Sequence, residues 1–247
     1  MTNTTSFADW QAKAKALTIR SQAFIDGEYV DAVSGKTFSC ISPSDGTCLA
    51  RIAECESADV ELAVAAARRA FDAGVWSEAS PVHRKKTLQK FARLIEQHAE
   101  ELALLESLDM GKPVADALSI DVSASVRCLD WTAEAIDKVY GEIAPTPQHE
   151  LGLITREPLG IIAAIVPWNF PLLMATWKFA PALAAGNSVI LKPSEKSPLS
   201  AIRIAALALE AGIPAGVFNV LPGFGKGAGE PLALHMDVDG LVFTGST

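Results

Sequence analysis

The residues able to do chemistry in this sequence gather in four short segments: Val166-Pro-Trp-Asn-Phe-Pro171, Lys192-Pro-Ser-Glu195, the glycine run Gly223-Phe-Gly-Lys-Gly-Ala-Gly229, and Thr244-Gly-Ser-Thr247. The glycine run could cradle a phosphate, because backbone N–H groups free of side-chain bulk can close around an anion. Through Gly223, Gly225 and Ala228 it fits a G-x-G-x-x-[GA] pattern that many plain turns also satisfy. It fails as the phosphate loop of nucleoside triphosphatases, since Lys226 is followed by Gly227 rather than Ser or Thr and the four-residue glycine spacing is missing. It also departs from the ordinary dinucleotide pattern: about twenty residues past Gly223 stands Phe243, where an acid would hold a ribose. The acid placed to do so lies upstream, at Glu195.

Other chemistries are disfavoured. Cys40, Cys48, Cys55 and Cys128 form no C-x-x-C pair and have no histidine at metal-ligand spacing, which predicts reduced, mostly buried thiols. Tyr29 and Tyr140 are followed at Tyr-x-x-x-Lys spacing by Val33 and Ala144, which speaks against a short-chain reductase. With 21 Lys plus Arg against 29 Asp plus Glu, the net charge of -8 argues against a nucleic-acid partner. The N-terminus lacks the basic start and apolar run of a secretory signal, so a cytoplasmic location is expected. The most apolar stretch, Leu159 to Leu191, is interrupted by Pro167, Asn169, Pro171, Lys178 and Pro181, so no membrane partner is expected.

The elements that must position these segments follow from periodicity. Ser6 can cap a short helix with Phe7, Trp10, Ala14 and Leu17 at helical spacing. Asp26-Gly27 between two β-prone runs predicts a hairpin. A helix opens at Ser57 and ends near Gly74, a second runs from Ser80-Pro81 to near Gly111, and a third from about Asp116 to Lys138. Tyr140 to Pro158, with Gly141, Pro145 and Pro147 and an alternating run, reads as an extended arm. From Gly160 the rhythm becomes strand and helix: strands at 161–166, 188–191, 217–221 and 241–243, helices at 172–185, 199–211 and 227–235. Such alternation means βαβ units and a parallel sheet, and all four chemical segments then fall at strand carboxyl ends, where cofactors bind. Gly186, Gly212 and Gly240 sit where helix-to-strand turns need them.

The four loops in order, the displaced acid Glu195, Leu108-Asp-Met-Gly-Lys-Pro113 and the run from Gly186 through Pro198 together resemble the aldehyde dehydrogenase family over nearly the whole chain. Within it the sequence is most similar to bacterial γ-glutamyl-γ-aminobutyraldehyde dehydrogenases of putrescine breakdown, through Glu134-Ala-Ile-Asp-Lys-Val-Tyr-Gly-Glu142 and Ile161-Ile-Ala-Ala-Ile-Val-Pro-Trp-Asn-Phe-Pro171. The resemblance implies an α/β fold: an incomplete Rossmann-like parallel sheet with flanking helices, an N-terminal helical region and a protruding β arm. Residues 1–139 and 159–247 would form an incomplete NAD-binding domain and 140–158 an oligomerisation arm, with the catalytic domain absent from this chain.

The resemblance also implies roles. Asn169 would donate its amide N–H to a developing oxyanion, although on local grounds alone it reads as a helix N-cap before Pro171. Lys192 and Glu195 would hold the adenosine ribose; a carboxylate there favours NAD, while Lys192 leaves NADP possible. Gly225, Gly229 and Ser246 would line the adenine and pyrophosphate path, with Ile165 and Trp168 near the cofactor. Phe170, Leu173, Met174 and Trp177 fall on one helix face and would wall the aldehyde tunnel, although such a stripe is usually core. Lys178, adjacent, would support Asn169 or be a solvated charge.

The family attacks the aldehyde with a cysteine thiolate and activates water with a glutamate. Both groups would lie beyond Ser246, and none of the four cysteines here matches that nucleophile. The chain stops inside the Thr244–Thr247 loop, so a fragment is expected, inactive by itself, of a homo-oligomeric enzyme of putrescine breakdown oxidising an aldehyde with NAD. The alternative is a non-catalytic NAD-binding or assembly fragment.

Overall fold

Residues 6–245 are described in the computed structural model; Ser246, expected near the cofactor, lies outside them. Helix α1 (Phe7–Ala16) opens on a capping box in which Ser6 and Asp9 bond each other's backbone, and it buries none of its residues. Strands β1 (Ala23–Ile25) and β2 (Glu28–Val30) form the expected hairpin. Its central residues Asp26 and Gly27 have φ of 53° and 83°, the left-handed pair that a two-residue turn requires. Next come β3 (Thr37–Ile41) and β4 (Cys48–Ala53), a separate antiparallel pair, and the helices α2 (Ser57–Asp72), α3 (Pro81–Gln97), α4 (Ala99–Met110), α5 (Val114–Asp116) and α6 (Ser123–Ala135). Strands β5 (Glu142–Ala144) and β6 (Gly152–Ile154) pair only with each other.

The remainder alternates as its apolar runs predict: β7 (Ile161–Ile165), α7 (Pro171–Ala184), β8 (Ser188–Lys192), α8 (Leu199–Ala211), β9 (Phe218–Val220), α9 (Glu230–Leu234) and β10 (Gly240–Phe243). Six strands form one sheet in the order β10-β7-β8-β9-β1-β2, with β10, β7, β8 and β9 parallel. Every residue of β8 is buried, as a parallel strand covered on both faces requires. One core cluster packs α3, α4, α6, α7 and α8 against one face; a second, with Val60, Ala63, Val64 and Leu232, packs α2 and α9 against the other. None of the described helices is long and apolar enough to cross a membrane.

Three expectations are corrected. The helix expected from Ser80 to Gly111 is two, broken at His98, whose φ of -97° and ψ of 19° leave the helical region. The His98 ring is held there by Glu101 at 2.7 Å and by Arg203 of α8 at 3.3 Å. The third helix starts at Val114 and passes through a wider π-helical stretch, Ala117–Val122, before α6. Gly240 is not a left-handed turn but the first residue of β10, where a Cβ would stand 2.9 Å from Ile162 Cδ1. Gly186 and Gly212 do have positive φ, 96° and 108°.

Candidate active site

Register aligns the strand ends. Ile165 on β7 lies opposite Lys192 on β8 and Phe243 on β10, so the loops after these strands leave the sheet along one edge. Backbone bonds continue the alignment past the strands: Val166 N–H donates to Lys192 O and Thr244 N–H to Ile165 O. The loop after β7 is tied to the loop after β8 where Ser197 Oγ donates to Trp168 O at 3.2 Å.

Lys192 is 3% exposed, and its Nζ stands 3.8 Å from Glu195 Oε2. Burial holds its ammonium below the usual lysine range, and the Glu195 charge opposes that shift. The pair thus offers donors and acceptors side by side at a strand end. Gly229 lies over both neighbouring strands: a Cβ there would come within 3.9 Å of Ile165 Cδ1 and 4.0 Å of Lys192 Cδ. Around Gly225 a Cβ would meet nothing within 4 Å, so this stretch faces open space. Gly223 is different: a Cβ there would stand 2.6 Å from Cys55 O, so glycine is required by packing rather than by a ligand. The run Gly225–Gly229 is one π-helical turn leading into α9.

Asn169 is exposed, and its side chain bonds no other described residue. The N-cap reading is corrected: α7 has Phe170 as its N-cap residue, and the first free amide, Leu172 N–H, is satisfied by Glu106 of α4 instead. The amide of Asn169 is therefore available to an incoming oxygen. Trp168, half exposed, has Lys196 Nζ 5.8 Å over its ring.

Burial along the apolar stripe of α7 is uneven. Leu173 is buried, Phe170 and Met174 are half-buried, and Trp177 is 57% exposed. Trp177 lines an open cleft of about 430 Å³ with Ile162, Lys178, Pro181, Val242 and Phe243, apart from Phe170. In that cleft Lys178 Nζ donates to Thr244 Oγ1 at 2.6 Å rather than to Asn169, and burial lowers its pKa.

None of the four thiols stands on the loops that follow β7, β8 or β10. Cys40 is buried in β3, its pKa pushed up to about 12 by burial first and then by the charge of Asp109. Cys55 lies under the glycine loop but is 0% exposed, and burial raises its pKa further. Cys128, on α6, is raised by burial, and Cys48 is exposed on β4. Among the described residues, no cluster of His, Cys, Asp and Glu could hold a metal ion.

Sequence reasoning missed three buried acids, Glu106 and Asp109 on α4 and Asp121 in the π-helical stretch, and the half-buried Lys112 that pairs with Asp121. The available signal was two acids three positions apart in the mostly apolar second half of a helix, Leu102-Ala-Leu-Leu-Glu-Ser-Leu-Asp-Met110, where it runs into Gly111-Lys-Pro113.

Residues 29–247 match the aldehyde dehydrogenase family. The chain belongs to that family. It is 58% identical over 240 residues to the NADP/NAD-dependent aldehyde dehydrogenase PuuC of Escherichia coli, covering 97% of this chain and 48% of that one. It is 49% identical to the aminoacetaldehyde dehydrogenase of Pseudomonas aeruginosa, covering all of this chain and 50% of that one. Among solved structures it superposes with TM-score 0.96 and 63% identity on a cysteine-to-alanine variant of P. syringae AldA indole-3-acetaldehyde dehydrogenase in complex with NAD+ and IAA, over 97% of this chain and 48% of that one. On the γ-glutamyl-γ-aminobutyraldehyde dehydrogenase of Burkholderia cenocepacia the TM-score is 0.93 at 62% identity, over 95% and 47%. This aldehyde dehydrogenase chain thus spans about half the length of the relatives it matches.

Proposed function

We propose that this chain forms the cofactor-binding and oxyanion-stabilising part of an enzyme that oxidises an aldehyde to a carboxylic acid with NAD. The observation that carries the reading is the Lys192–Glu195 pair at the end of β8, beside Gly229 and in line with the unengaged amide of Asn169. These residues fit a dinucleotide. Glu195 would accept from ribose hydroxyls, Lys192 would donate, and Gly225 and Gly229 leave backbone open along a pyrophosphate path, with Ile165 and Trp168 flanking it. When bound, the nicotinamide supplies a hydride acceptor. Asn169 would donate to the aldehyde oxygen as negative charge grows on it. Phe170, Leu173, Met174 and Trp177 would wall the approach, with Trp177 the one exposed enough to meet substrate directly.

For the substrate we favour an aminoaldehyde such as γ-glutamyl-γ-aminobutyraldehyde, an intermediate of putrescine catabolism. Two relatives are named for aminoaldehydes, and the one named for indole-3-acetaldehyde supplies the competitor to test. The free thiols suit a reducing, cytoplasmic compartment. We assign 1–139 and 159–247 to the cofactor domain and 140–158 to an arm that binds a second copy, since Ile143, Leu151 and Leu153 on it are exposed. A second reading, a chain that binds NAD without turnover, is favoured by the position of the four cysteines on β3, β4, the β4–α2 loop and α6, off the loops after β7, β8 and β10.

Calorimetric titration tests the cofactor assignment. Glu195→Gln should weaken NAD+ binding more than NADP+ binding, because a neutral side chain no longer repels a 2′-phosphate. Equal losses for both cofactors would remove Glu195 from the ribose.

A further inference from the structure

Neither helix that follows a site loop caps itself. The N-cap residues Phe170 of α7 and Pro198 of α8 make no side-chain cap bond. Their first amides are taken instead by two carboxylates of α4: Glu106 Oε1 accepts from Leu172 N–H at 2.6 Å and from Ser200 Oγ at 3.1 Å, and Asp109 Oδ2 accepts from Leu199 N–H at 3.0 Å. Both acids are buried, and a neighbouring Ser, Thr, Asp or Asn would cap either helix without taking a carboxylate out of water. What a cap on a third helix adds is a shared anchor. Glu106 and Asp109 lie one turn apart on one rigid element, so the loop carrying Asn169 and the loop carrying Lys192 and Glu195 are referenced to the same few ångströms of backbone. A second tie reaches the first loop: Lys112, paired with Asp121, holds its Nζ 3.7 Å from the ring centroid of Phe170, the residue after Asn169.

We infer that Glu106 and Asp109 are positioning residues that fix the spacing between Asn169 and the Lys192–Glu195 pair by holding the helices that follow both loops. The inference rests on the function proposed above for those three residues. Burial foremost, with the negative charge of Asp121 adding to it, pushes the Glu106 pKa up to about 8, so the side chain holds a proton at neutral pH. Asp109 is raised as well, by burial first and by Glu106 after it. Glutamine is therefore the conservative replacement at 106: it is neutral, like the protonated carboxyl, and its carbonyl can still accept from Leu172 N–H and Ser200 Oγ.

The test uses the 247-residue chain with three readouts: melting temperature, NAD+ affinity by calorimetry, and the side-chain amide resonances of Asn169 by ¹⁵N NMR. Asp109→Ala should weaken NAD+ about tenfold. Glu106→Ala should displace the Asn169 resonances and change NAD+ affinity less than twofold, and Glu106→Gln should restore them. Where an alanine variant does not fold, Glu106→Met and Asp109→Leu, which keep side-chain volume but accept no hydrogen bond, take its place with the same expected outcomes; Lys112→Met, which leaves both caps intact, should move the Asn169 resonances through Phe170 alone. Lower melting temperatures with unchanged NAD+ affinity and unmoved Asn169 resonances would reduce both acids to plain helix caps and overturn the inference. Failure of the unsubstituted chain to bind NAD+ strikes the proposed function instead, because the Asn169 resonances report positioning without cofactor.

Discussion

The carboxyl edge of the sheet and its β10 side make a contrast. Apart from Asn169, the polar groups described along the carboxyl edge find partners within the chain: Lys192 faces Glu195, Trp168 O has Ser197, and the helices behind are capped by Glu106 and Asp109. Along β10 the side chains point outward with little over them. Leu241, Val242 and Phe243 are exposed, as is Trp177 beside them, and the β5–β6 hairpin likewise leaves Ile143, Leu151 and Leu153 in water. Polar residues here are prearranged by their own chain, while the apolar surface at the margins suits contact with something further. An arranged binding edge is not a reaction centre, and the predictions separate the two.

The largest effect concerns turnover. On the proposed function Asn169 would polarise a carbonyl, but none of the four cysteines lies on its loop or on the loops after β8 and β10, so the purified chain should give no NADH above background from any aldehyde, a shortfall of about a millionfold or more against ordinary enzymatic acceleration. Turnover abolished by Cys128→Ser, or by another single cysteine change, would show that a nucleophile is present after all.

Next in size is the cost of emptying the core against trimming the margin. Phe179 is fully buried, with ring centroids 5.7 Å from Phe91 and 5.1 Å from Phe218. Phe179→Ala should cost about 3–5 kcal/mol in urea unfolding, and Phe243→Ala on the exposed edge about 1 kcal/mol or less. Similar losses at both would mean that β10 is covered in solution.

The arm gives a third comparison. Replacing Ile143 and Leu153 with Asp should shift mass in light scattering toward smaller species and leave the melting temperature of the smallest one nearly unchanged. An unaltered mass would take self-association away from 140–158.

A smaller effect is the pH dependence from Glu106. Folding raises its pKa from the ordinary 4.5 to about 8, so between those values the folded chain keeps a proton that the unfolded chain has released. Its contribution to stability is fully present below about pH 4.5, falls as pH rises toward 8 and is level above. Glu106→Gln should flatten that decline in melts at pH 5, 6.5 and 8, with Asp109, Asp121 and Lys112 left in place. A decline of unchanged slope would assign the proton elsewhere.

Much of this was legible in the residues. The runs Ile161-Ile-Ala-Ala-Ile165 and Val189-Ile-Leu191 are apolar without alternation because both sheet faces are covered, and Asp26-Gly27 announces its turn chemically. The strand-end positions of Asn169, Lys192 and Glu195 followed from that pattern, and their roles from family resemblance. What stayed hidden depends on partners distant in sequence. Nothing near His98 says that Arg203 will help hold it out of a helix, and nothing near Leu172 says that an acid 66 positions earlier will cap its amide. The uneven burial of Phe170, Leu173, Met174 and Trp177 has the same origin: spacing assigns a helix face, and the neighbours of each turn decide how wet it is.

The hairpin at the start of the chain has a consequence in time. β1 joins the sheet only through β9, and the Asp26 amide finds its acceptor, Asn219 Oδ1, 193 positions later. At roughly 5–20 residues per second of synthesis, the ribosome would need about 10–40 s to supply that partner. During that interval Phe24 and Ile25, buried in the finished sheet, have no β9 to lie against. The first strands made must thus wait to be seated, and a nascent chain must carry their apolar faces until β9 has been made, within reach of chaperones and of other chains.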